Sequence, residues 1–90
     1  MVPDRPDEYY VERLIGRIRL LIATSDDIPV ETKLETQPML KELEAGLLAP
    51  ADHRDEGRAQ AQYAFLRGQL DEYPDLQALL HALRNFAPYL

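Results

Sequence analysis

Ninety residues make one folding unit, and a chain of this size buries only about 60–65% of the surface it exposes when unfolded. The complete absence of cysteine excludes a disulfide framework and any thiolate metal site. Sixteen acidic residues against ten basic ones, a formal net charge of −6, oppose binding to phosphate backbones and anionic membranes.

Hydrophobic residues make up 46% of the chain, too many for a disordered segment. The longest aliphatic run is Leu20, Leu21, Ile22 and Ala23, far below the roughly 20 residues of a membrane span. The N-terminal stretch carries early acids and two prolines, which does not suit a signal peptide. A cytoplasmic protein is the expectation.

Residues 1–6 read as a flexible, proline-punctuated lead-in to a single helical domain spanning 1–90. The first helix is expected over about 7–24, with Asp4 or Asp7 as cap and Glu8 at the positive end of the macrodipole. Val11, Leu14, Ile15, Ile18, Leu21 and Ile22 recur at the spacing of one helical face. Thr24, Ser25, Asp26 and Asp27 favour a turn after it. Residues 28–35 fit either a short helix or an extended segment, and Pro38 is expected to interrupt any continuous helix there. A second helix over 37–48 then starts with Pro38 in its first turn and carries Met39, Leu40, Leu43, Leu47 and Leu48 inward.

A third helix is expected over 53–73, with Ala59, Tyr63, Leu66, Leu70 and Tyr73 as its stripe. Pro74 ends it, because proline disfavours the helical region for the residue before it. The last helix, over 75–87, turns Leu76, Leu79, Leu80, Leu83, Phe86 and Leu90 to one side. The fold class is therefore all-α: a small antiparallel bundle of three long helices and one shorter one.

Two helices carry a second apolar side. Opposite the stripe of the first lie Tyr9, Gly16, Leu20 and Ala23; opposite that of the third lie Ala61, Ala64, Phe65 and Gly68. A surface helix of a monomer normally has one apolar stripe and a charged back. These eight residues are the candidate partner-binding positions, for a second copy or another protein. Singly exposed apolar residues are also ordinary on protein surfaces, and alanine is simply a good helix former.

Residues able to carry chemistry are sparse. His53 stands among Asp52, Asp55 and Glu56, and His81 falls on the polar side of the last helix. No pair of histidines, and no Glu-x-x-His, offers two ligands on one helical face. Asp26 with Asp27, Asp55 with Glu56 and Asp71 with Glu72 are adjacent acids that point about 100° apart on a helix and suit caps or solvated surface. Ser25, Thr24, Thr32 and Thr36 lie in no nucleophile elbow, and the four glycines form no phosphate loop. No metal or cofactor is expected.

Arg13, Arg17 and Arg19 crowd the first helix and could meet an acidic partner, phosphates or neighbouring carboxylates. Tyr9, Tyr10 and Tyr89 are contact candidates, since tyrosine joins an apolar ring to a polar tip. The expected function is a small non-catalytic protein–protein interaction module: a homodimer, an adaptor or an accessory subunit. The alternatives are a nucleic-acid-associated regulator using the three arginines, or a small metal-binding protein or enzyme using His53 or His81.

Overall fold

The computed structural model of the protein describes residues 6–90. Apart from Pro6, the expected lead-in lies outside the described residues. Four α-helices follow in order: α1 (Pro6–Thr24), α2 (Val30–Leu48), α3 (Glu56–Gln69) and α4 (Pro74–Leu83), with a single 3₁₀ turn at Ala51–His53. No strand occurs among the described residues.

The i, i+3, i+4 spacing of α1 buries Val11, Ile15, Ile18 and Ile22 in one row. Leu14 stays at the core margin, and Leu21, expected in the stripe, is partly exposed at the end of the helix. Beyond Thr24, whose hydroxyl donates back to Leu20 O at 2.8 Å, the chain turns with Asp27 N donating to Ser25 Oγ at 3.3 Å. Ile28, the one apolar residue of this polar turn, is buried and closes the end of the core.

The second helix departs from expectation. It begins at Val30, not near residue 37, and runs unbroken through Pro38. Proline has no N–H, so Leu34 O loses its usual donor four residues on. Leu34 and Pro38 both face solvent, where water can satisfy that carbonyl. On the opposite side Thr36, Leu40 and Leu43 are fully buried, and Thr36 Oγ1 donates to Thr32 O at 2.7 Å. Packing on the inner face holds the helix across a proline on the outer face.

The third helix is shorter than the expected 53–73. Its true cap is Asp55, whose Oδ1 accepts from Arg58 N at 3.0 Å, and His53 is spent in the 3₁₀ turn. It stops at Gln69; Tyr73 is extended, as the residue before a proline should be, and Pro74 opens α4. The expected end of α4 at 87 also moves, to Leu83. Arg84, Asn85 and Phe86 each donate to the carbonyl three residues back, which tightens the last turn ahead of Pro88.

Each helix packs on two neighbours. α1 touches α2 and α4, α2 touches α3, and α3 meets α4 most thinly. α1 and α3 make no close backbone approach, so they occupy opposite corners around one core. Tyr63 reinforces the thin side: buried on α3, it donates its hydroxyl to Leu80 O of α4 at 2.9 Å.

Candidate partner-binding surfaces

The outward side of the α1–α2 pair holds the most exposed aliphatic residues among those described: Leu20 at 63%, Val30 at 68% and Leu34 at 70%. The seam between the two helices fixes their orientation. Gln37 Nε2 donates to Arg19 O at 3.1 Å, Lys33 Nζ to Ala23 O at 3.2 Å, and Arg19 pairs with Glu44 at 3.3 Å. With about 100° of rotation per residue, Leu20 and Leu34 follow these seam residues onto the side turned away from the core. Val30 lies one turn before Leu34 on that same side.

The eight candidate positions therefore divide. Tyr9, Leu20 and Ala23 are exposed on α1, with Gly16 partly so. On α3, Ala61, Ala64 and Gly68 are exposed, whereas Phe65 is half-buried. A Cβ placed on Gly16 or Gly68 would meet no atom within 4 Å, so neither glycine serves close packing inside the chain. Because α1 and α3 sit at opposite corners, the two sets do not form one surface. The apolar companions of Leu20 come from α2 instead. Sequence reasoning missed Val30 and Leu34 because Pro38 hid the first turns of that helix; the i, i+4 spacing of the two residues was the available signal.

A second surface lies along the α1–α4 seam. Tyr10, Arg13, Leu14, Arg17, Ala82 and Phe86 line an open groove of about 290 Å³. Tyr10 stacks on Phe86 at 5.6 Å with planes 12° apart, and Tyr9 meets Tyr10 edge-on at 5.4 Å. Arg13 lies over the Tyr9 ring at 5.6 Å and donates to its hydroxyl at 2.8 Å. Among the described residues neither Arg13 nor Arg17 has a carboxylate partner, while Arg19 is engaged by Glu44 on the α2 side. The three arginines thus form no single basic footprint.

The histidines offer little chemistry. His53 and its neighbour Asp52 are solvated, 3.7 Å apart, and His81 is exposed on α4. Among the described residues no group of three or more His, Asp or Glu is placed to hold a metal ion. A cavity of about 490 Å³ opens where the α1–α2 turn meets the α3–α4 turn, lined by Leu21, Ile28, Tyr73 and the acids Asp27, Glu72 and Asp75. Tyr73 OH donates to Asp27 O at 3.1 Å there and ties the two turns together. Burial raises the pKa of Tyr63 and, at the C-terminal end, of Tyr89. Arg67 opposes the shift at Tyr63 and Arg54 the one at Tyr89.

Compared with protein-family models, curated proteins and solved structures, the chain finds no match. Among the described residues no helix is long and apolar enough to cross a membrane.

Proposed function

We propose that this protein is a non-catalytic protein–protein interaction module: an antiparallel helical bundle that self-associates through the outer face of α1 and α2. One observation carries the reading. Leu20, Val30 and Leu34 each leave about two-thirds of their surface to solvent, on two helices joined by side-chain hydrogen bonds along their seam. That seam supports the antiparallel arrangement, since later residues of α2 reach earlier residues of α1.

Full burial of an aliphatic side chain is worth about 1.5–3 kcal/mol, so each of these three has about 1–2 kcal/mol still to gain. A two-fold dimer collects the sum twice, roughly 6–12 kcal/mol in all. Association costs about 4–15 kcal/mol in lost freedom. At most about 8 kcal/mol of that gain survives, so the dimer is reversible and no tighter than about micromolar. A cytoplasmic setting is part of the same reading.

Sedimentation velocity across the micromolar range tests it. The expected outcome is a concentration-dependent shift towards twice the mass, lost in Leu20→Glu/Leu34→Glu. A strict monomer at high micromolar concentration refutes self-association.

A further inference from the structure

We propose that the α1–α4 groove is a docking site for an acidic segment of a partner protein, one that carries an aromatic or aliphatic anchor beside its carboxylates. The groove has two parts that ask for different chemistry. Its floor is apolar, made by Leu14, Ala82 and the stacked pair Tyr10 and Phe86. Arg13 and Arg17, both exposed, line the groove as well and form no ion pair with a carboxylate among the described residues. In a protein of net charge −6, two exposed arginines without an acidic partner among the described residues are a local reversal of sign.

Guanidinium suits this role because it is planar, always charged and able to hold a carboxylate by two parallel hydrogen bonds. Arg13 is already oriented by its contacts with Tyr9, so less side-chain freedom is lost when it binds. Arg13 and Arg17 are one helical turn apart, so carboxylates spaced one turn apart on a docked helix would meet both. The anchor would lie on the Tyr10 and Phe86 rings. The overall charge disfavours a nucleic acid or an anionic lipid surface, for which two arginines supply too few neutralising contacts. The apolar lining of this site lies on the α4 side of α1, whereas Leu20 is one turn beyond Arg17, and the proposal does not depend on self-association.

The probe is a synthetic helical peptide about three turns long, with leucine and phenylalanine at i, i+4 spacing flanked by glutamates. Its control replaces the glutamates with lysines. Binding is followed by chemical-shift mapping on Leu34→Glu, which brings no new carboxylate next to Arg17, so a failure of the dimer proposal leaves the measurement intact. The expected result is that the acidic peptide shifts the amides around Arg13, Arg17, Ala82 and Phe86, and the basic peptide does not. Arg17→Gln should weaken binding about tenfold, and Arg13→Gln/Arg17→Gln more, with α-helical circular dichroism unchanged. Shifts confined to the outer face of α1 and α2, equal binding of both peptides, or full binding by the double variant would overturn the proposal. So would binding of the protein to phosphatidylserine vesicles that competes with the peptide, or dimerisation that requires Arg13 and Arg17.

Discussion

The hydroxyl of Tyr63 bears on the thinnest contact in the fold, and Tyr63→Phe isolates it. Near the end of α4 the backbone N–H of Arg84 turns to His81 O at 3.0 Å, which withdraws the regular donor from Leu80 O. Leu80 is fully buried, so water cannot replace that donor, and Tyr63 OH supplies it at 2.9 Å. Removing the hydroxyl keeps the ring and leaves a buried carbonyl unpaired. Such a loss costs about 1–3 kcal/mol. For a domain of this size each kcal/mol lowers the melting temperature by about 4–8 °C, so a fall of roughly 4–24 °C is expected.

Thermal unfolding followed by far-ultraviolet circular dichroism measures it. An unchanged melting temperature would show that Leu80 O is satisfied without Tyr63 and would remove the argument for a polar pin between α3 and α4. The same group has a signature in pH. Burial raises the phenol above its ordinary value of 10.0, with Arg67 and then Arg84 pulling the other way. The native state thus favours the neutral phenol. Its contribution to stability is fully present below the unfolded pKa and is lost as pH rises through the folded one. Tyr89 shifts in the same direction for the same main reason, burial. Stability should hold through neutral pH and fall above about pH 10, less steeply in Tyr63→Phe.

Two further substitutions test how the helices begin and continue. Pro38→Ala restores a donor to Leu34 O inside α2, and the intrinsic preference for alanine over proline in a helix interior is about 3 kcal/mol. Urea denaturation should show a gain of up to about that size; a loss would mean that the proline fixes a shape the core requires. Asp55→Ala removes the cap on Arg58 N and should cost about 0.5–2 kcal/mol, whereas Asp55→Asn should restore most of it. Equal loss in both would assign the effect to charge and not to capping.

Much of the core was legible because burial follows helical period. Ile15, Ile18 and Ile22, Leu40 and Leu43, Leu66 and Leu70, Leu80 and Leu83 all sit where their spacing places them. Ile28, Thr36 and Gln62 were not, because each is buried through tertiary contact that no local pattern records. The hidden start of α2 has a sharper cause. A proline in mid-helix normally outweighs local propensity, and the direction in which its ring points depends on packing that a sequence does not state. The candidate surface was half readable for that reason: Leu20 belonged to a clear helix, and Val30 and Leu34 to a segment whose conformation was open. The α1–α4 groove was less legible still. Tyr10, Arg13 and Arg17 were visible as types, but their company with Ala82 and Phe86 exists only once α4 lies beside α1.

The two apolar sides of α1 now have separate physical accounts. One sector carries Val11, Ile15, Ile18 and Ile22 into the core, the next meets α2 through Arg19 and Ala23, and a third presents Leu20 to solvent. The remaining sector, with Tyr10, Arg13, Leu14 and Arg17, forms one wall of the groove against α4. A helix can therefore be apolar on opposite sides without being central in its bundle. On α3 the equivalent positions are mostly alanine and glycine, whose burial would release little apolar surface, and Phe65 is already half-covered. Among the described residues the exposed aliphatic surface is thus concentrated on the α1–α2 side, where Leu34 leaves the most, 70%, to solvent.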